Sequence, residues 1–195
     1  MDCDDRSREK TSNKRGELRR LLSGYRPQDR GEAEDLARLE ALLETADDPF
    51  SRHCFAPGHV TVSAFVRSPR GRELLMIHHG RLARWLQPGG HVEESDPDLL
   101  AGAIREVAEE TGLASVTPDA SGAFDVDVHP IPARTGEPAH LHFDMRFALR
   151  AGSPTLRPAS EVRGARWVAF DDVATLCPES SMARVLRKLR RLAGA

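Results

Sequence analysis

Cysteine is scarce in this 195-residue chain, with only Cys3, Cys54 and Cys177. An odd number at wide spacing fits neither a disulfide framework nor a cysteine-based zinc site, and a reducing cytoplasm is the expected home. Long apolar runs are also missing. Nothing approaches the roughly 18 residues a membrane helix needs, and the N-terminal "MDCDDRSREKTSNKRGE" has no apolar segment of the kind a secretory signal carries. Charge of one sign is missing too: a formal net charge of -2 creates no broad field to attract nucleic acid or an anionic membrane, so neither is expected as a stable partner. Any anionic partner must be held locally. Repeats and low-complexity tracts are absent.

What is present fits one domain with a real core and a small appendage: 39% hydrophobic and 30% charged residues are ordinary globular values. Residues 1–14 lack periodicity and predict disorder. Residues 15–55 predict a helical extension, with leucines at Leu18, Leu21 and Leu22, then Leu36, Leu39, Leu42 and Leu43 after the break at "GYRPQDRG". Its role is open, dimerisation or covering the sandwich being the two options. From residue 56 to 195 the pattern is that of a second unit. "HVTVSAFV" and "ELLMIHH" flank a Pro-Arg-Gly turn and predict an antiparallel hairpin. "AFDVDVHP", "HLHFDMRFAL" and "ARWVAF" predict further strands, and "DDVATLC" and "SSMARVLRKLRRLAG" closing helices, the last capped by Ser180 or Ser181. The order argues an α/β or α+β sandwich.

The chemistry concentrates in "LQPGGHVEESDPDLLAGAIREVAEETGLAS", Leu86 to Ser115. Ser95 or Asp96 can cap a helix, Pro97 suits its first turn, and Asp98 suits the positive end of its dipole. The helix should run from about Pro97 to Thr111. Leu100, Ala103 or Ile104, and Val107 would face the core, and Gly112 would take the left-handed C-cap. Glu106 and Glu110 stack on one face, with Glu109 beside them. Three carboxylates near a helix C-terminus repel one another and the dipole, and Arg105 neutralises only part of that charge. A hard divalent cation such as Mg²⁺ would compensate the rest, and the Gly89-Gly90 turn allows a backbone carbonyl to join it. On its own, "REVAEE" reads first as a solvated, salt-bridged face; the glycine turn at fixed distance is what changes the reading.

With Gly90, Arg105, Glu106, Val107, Glu109, Glu110, Gly112 and Leu113 in place, the stretch resembles the signature of the Nudix hydrolase family. It departs once. Five residues on from Gly90 stands Asp96 rather than Glu, and eight residues rather than seven then precede Arg105; Glu93 or Glu94 takes the loop-carboxylate role in another alignment. The resemblance covers roughly residues 57–193 and implies a Nudix-type α/β/α sandwich with a mixed sheet, plus the helical N-terminal extension. It implies metal-dependent hydrolysis of a nucleoside diphosphate linked to another moiety, with Mg²⁺ or Mn²⁺ as cofactor. Glu106, Glu109, Glu110 and the Gly89 carbonyl would be ligands, and Arg105 would orient the glutamates. Glu161, six residues before Trp167, resembles a late glutamate that serves some members as ligand or base; alone it reads as a surface residue.

Two features bear on the substrate, expected to be a small nucleotide-type molecule. His140, His142 and Asp144 lie on one strand face and read as a substrate wall, a transition-metal site or a solvated row. His79, Arg81, Arg84 and Trp85 precede the box; an arginine there can bind phosphate and Trp85 can stack on a base or fill the core. Competing functions are a house-cleaning nucleoside triphosphate pyrophosphatase and a nucleotide-sensing domain without turnover. A homodimer is compatible with the leucine-rich extension.

Overall fold

A computed structural model describes residues 3–80, 82–158 and 162–194. Two helices open the chain, α1 (Cys3–Ser23) and α2 (Arg30–Thr45), followed by the strands β1 (Gly58–Arg67) and β2 (Glu73–His79). Two short strands, β3 (Arg84–Leu86) and β4 (Gly89–His91), lead into α3 (Leu99–Thr111). Then come β5 (Val116–Pro118), β6 (Asp125–Ile131), β7 (His140–Ala151), β8 (Val162–Ala169), α4 (Phe170–Leu176) and α5 (Ser180–Gly194). Among the described residues no helix is long and apolar enough to cross a membrane.

The sheet is mixed. Its path runs β3-β2-β1-β7-β5, with β4 added to β1, β6 to β7 and β8 to β2. β1 and β7 pair in parallel over ten positions, from Gly58 opposite Leu141 to Arg67 opposite Arg150, whereas the other named pairs are antiparallel. Because side chains alternate along a strand, each central strand serves two cores. Val60, Val62, Phe143 and Met145 face one layer, made by Leu99, Ala103 and Val107 of α3 and by Leu18, Leu22, Leu39, Leu42 and Leu43 of α1 and α2. Phe65 and Ala148 face the other, with Val173 of α4 and Val185, Leu186 and Leu189 of α5. The α/β/α sandwich follows from that division.

The second face is not apolar along its whole length. Beyond Phe65, β1 presents Ser63, Thr61 and His59, all buried, and β7 presents Arg146, Asp144 and His140, also buried. Burial of such groups requires partners. Arg146 bonds Asp144 at 2.9 Å, Asp127 at 2.8 Å and Asp125 at 3.3 Å. Asp125 in turn accepts from Arg184 at 2.9 Å and from Lys188 at 2.8 Å, and Lys188 also meets Glu32 and Tyr25. This closed network ties α2 and α5 to β6 and β7.

Three expectations change. The stretch 1–14, expected to be disordered, is helical from Cys3, and its helix is held to the box loop by Lys14 on the Glu93 carbonyl at 2.8 Å and Lys10 on Glu94 at 3.2 Å. The first helix of the box starts at Leu99, with Asp98 rather than Ser95 or Asp96 as its cap, accepting from the Ala101 amide at 2.7 Å. The α5 helix already includes Ser180, so neither Ser180 nor Ser181 stands outside it as a cap.

Candidate active site on the β4–α3 segment

The Asp98 cap sets the register of α3, so that Leu99, Gly102, Ala103 and Val107 face the core. Arg105, Glu106, Glu109 and Glu110 then fall on the side towards β4, and Gly112 ends the helix at φ 67°, a left-handed conformation that glycine adopts without strain. β4 pairs with β1, Gly90 opposite Val62 and His91 opposite Thr61. Gly90 therefore points to α3 and His91 to the opposite face. A Cβ on Gly90 would stand 2.6 Å from the Glu106 carboxyl, so a side chain here would displace that carboxyl from its place beside β4.

Arg105 organises the acids. Its guanidinium grips Asp96 in a fork, Nε to Oδ1 at 2.9 Å and Nη2 to Oδ2 at 3.1 Å. It also donates to Glu106 at 2.8 Å, to Glu109 at 3.1 Å and to the His91 carbonyl at 2.9 Å. Asp96, buried under Gly102 and accepting from the Glu93 amide at 2.7 Å, is thus the loop carboxylate that fixes this arginine. Glu110 accepts from the Gly89 amide at 3.0 Å. The Arg105 guanidinium faces four carboxylates, Asp96, Glu106, Glu109 and, at 3.8 Å, Glu93, and the acids differ in environment. The Glu106 side chain is 14% exposed and the Glu109 side chain 57%.

Their titration follows that geometry. Burial pushes the Glu106 carboxyl above the usual range, only partly offset by Arg105. Burial also acts upward on Asp96, but the hydrogen bonds from Arg105 and Glu93 outweigh it and hold Asp96 low. Hydrogen bonding to Asp96, ahead of opposing burial, keeps Arg105 firmly protonated. The donor set that results is oxygen-only, negative and partly open, which suits a hard divalent cation.

The remaining expected residues divide into separate places. Glu161 and Arg81 lie outside the described residues. His79 ends β2, where its Nδ1 accepts from the Leu82 amide at 3.2 Å. Arg84 is paired with Glu179, and Trp85 is covered by the Arg166 guanidinium at 4.2 Å from its ring centre. These three belong to the β2–β3 edge. His140, His142 and Asp144 do share one strand face, but Asp144 is buried and committed to Thr61, Ser63 and Arg146. It therefore cannot form part of an open wall.

Three histidines that the sequence did not single out join this row. The parallel register puts His59 opposite His142, and the β6–β7 register puts His129 opposite the same His142. Ring centres of His59 lie 4.9 Å from His142 and 5.1 Å from both His91 and His140. Burial, reinforced by His59, depresses His91 to about 4 and His142 to about 2. The signal in the sequence was the shared strand parity of His59, Thr61 and Ser63; what was lacking was the strand pairing.

Comparison with known proteins agrees with this architecture. Residues 57–189 match the family model of the NUDIX domain. Phosphatase NudJ of Escherichia coli K12 is 32% identical over 117 residues, 59% of this chain and 71% of that protein. Among solved structures, the Caenorhabditis elegans Ap4A hydrolase binary complex aligns with a TM-score of 0.52 at 20% identity, covering 70% of this chain and 98% of that one. A NUDIX-family hydrolase from Clostridium perfringens gives a TM-score of 0.52 at 22% identity, covering 73% and 99%. The structural matches establish shared fold; the family model, spanning the glycine turn and the whole acidic helix, establishes membership. The chain belongs to the Nudix family and is a Nudix hydrolase.

Proposed function

We propose that this hydrolase is a Mg²⁺-dependent pyrophosphohydrolase that cleaves the diphosphate linkage of a nucleoside diphosphate joined to another moiety. The observation that carries this reading is the excess of carboxylate over cation beside a glycine strand: Asp96, Glu106 and Glu109 all bear on one guanidinium, with Glu110 on the adjoining Gly89 amide. A divalent ion is the counter-charge such a set is built for, and its affinity for oxygen extends to diphosphate. Glu106, Glu109, Glu110 and the Gly89 carbonyl would hold it. When bound, Mg²⁺ or Mn²⁺ supplies Lewis acidity towards the diphosphate and lowers the pKa of an attacking water.

The protein's own residues then act in stated ways. Arg105 restrains Glu106 and Glu109 so that both are aligned before substrate arrives, and Asp96 keeps Arg105 from swinging into the diphosphate. The free thiols of Cys54 and Cys177 suit a reducing cytoplasm.

The test is nucleotide release from a panel of dinucleoside polyphosphates, nucleotide sugars, ADP-ribose and nucleoside triphosphates, with and without Mg²⁺, for the native chain and Glu109→Gln. Metal-dependent cleavage of a diphosphate-linked compound by the native chain alone is the expected result. Preferential cleavage of triphosphates would replace the substrate class. Tight nucleotide binding with no turnover of any compound would overturn the catalytic proposal.

A further inference from the structure

On the face of β4 opposite the carboxylates, imidazoles converge from four strands: His59 on β1, His91 on β4, His129 on β6, and His140 and His142 on β7. We infer that His59, His91 and His142 form a second metal site, taking a first-row transition cation of the Zn²⁺ class rather than Mg²⁺. One ring nitrogen from each of the three lies within 4.8 Å of the others. Tetrahedral coordination at ordinary Zn–N lengths sets nitrogens about 3.3 Å apart, so small side-chain rotations close the set.

The hydrogen bonds around the cluster indicate what it is prepared to bind. A carbonyl can only accept, so Nδ1 of His59, 3.1 Å from the Cys54 carbonyl, carries the hydrogen. Nε2 of a neutral His59 is then a bare lone pair. It is buried without a hydrogen-bond partner, in a residue only 1% exposed. A lone pair so placed costs free energy unless a donor or a cation meets it. Flanking rings repeat the arrangement: His140 Nδ1 lies 2.9 Å from the Pro138 carbonyl and His129 Nδ1 lies 2.9 Å from Asp127. Fixing one nitrogen on a carbonyl or carboxylate while the other faces inward is how proteins orient histidine for metal coordination.

Chemistry separates this site from the one on α3. Neutral imidazole is a poor ligand for Mg²⁺ and a good one for Zn²⁺, Co²⁺ or Ni²⁺. Three imidazoles leave a fourth position, which His140, stacked on His59, or an external ligand can fill. The two sites are mechanically linked, since the His91 carbonyl also receives Arg105. An ion on the His91 ring would pin the strand that positions Gly90 against Glu106. The inference is independent of which diphosphate is cleaved.

The experiment is a titration of chelator-stripped full-length protein with Zn²⁺ and, in parallel, Co²⁺, in excess Mg²⁺ so that oxygen sites are occupied. Uptake of one equivalent and a visible ligand-field band of low-coordinate cobalt are expected. X-ray absorption of the zinc form should count at least three imidazoles. His91→Asn and His142→Asn should weaken Zn²⁺ by about 10²-fold, whereas Glu109→Gln should leave Zn²⁺ affinity within a factor of about two. No uptake by the native protein, or an oxygen-only absorption spectrum, overturns the site. So does unchanged affinity in both histidine variants. Should those variants fail to fold, the imidazole count in the native protein decides alone.

Discussion

Two charge clusters of this molecule, one against α5 and one beside β4, are balanced differently. Between α5 and the sheet, Arg146, Arg184 and Lys188 meet Asp125, Asp127, Asp144 and Glu32, and every member is enclosed. Beside β4, the Arg105 guanidinium is shared by Asp96, Glu106 and Glu109, and the last of these stands half in solvent. A satisfied network adds rigidity and has nothing left to offer a ligand, whereas an acid surplus at an open edge is unfinished until something positive arrives. The contrast marks the first cluster as scaffold and supports the proposal that the second holds a cation.

Breaking the closed cluster should have the largest effect. Arg146→Met removes the cation shared by Asp125, Asp127 and Asp144, leaving Asp144 only the Thr61 and Ser63 hydroxyls, and should cost about 3–5 kcal/mol in urea unfolding; a loss below about 1 kcal/mol would mean that water reaches the network. In the open cluster the balance of effects reverses. Glu110→Gln should lower turnover by ~10²-fold while the melting temperature stays near that of the native chain, and equal turnover would remove Glu110 from the site.

Acid should also weaken the closed cluster. Burial raises both Asp125 and Asp127, but Arg184, Arg146 and Lys188 around Asp125, and Arg146, His129 and Arg184 around Asp127, more than reverse this, so both are held below the ordinary 3.8. With the folded-state pKa depressed, the unfolded chain takes up protons first. The stabilisation is complete above about pH 4 and falls below it, by up to about 1.4 kcal/mol per pH unit for each carboxylate. Unfolding midpoints from pH 6 down to 2.5 would show it, and a flat profile would contradict the pairing. Smaller still, Gly90→Ala should push Glu106 aside and cut turnover roughly 10-fold with about 1–3 kcal/mol of destabilisation. Arg84→Ala, which breaks an exposed pair with Glu179, should change stability by less than about 0.5 kcal/mol.

Local patterns made much of this legible in the sequence. Alternation located β2 at Glu73–His79, and helical spacing with a terminal glycine located the end of α3 at Thr111. Charge crowding on one helix face was visible before any fold was known, whereas the choice among Asp96, Glu93 and Glu94 as loop carboxylate was open until the structure placed Asp96 on Arg105. The losses were non-local. Strands of three residues, such as β4 and β5, are too short to show a period. The parallel pairing of β1 with β7 joins segments about 80 residues apart, and neither segment announces the other. For that reason the "HLH" row was visible while His59 and His91, its neighbours in space, were not.

Leu18, Leu22, Leu39, Leu42 and Leu43 lie in the same apolar cluster as Val60, Phe143 and Val107. The unit recognised by ancestry, 57–189, is therefore smaller than the unit that must unfold together. Calorimetry of the full chain should give one transition whose enthalpy scales with both parts, and a protein trimmed to the family boundaries should bind hydrophobic dyes and precipitate. One transition would put the border of cooperativity outside the border drawn by heredity; two would make them coincide.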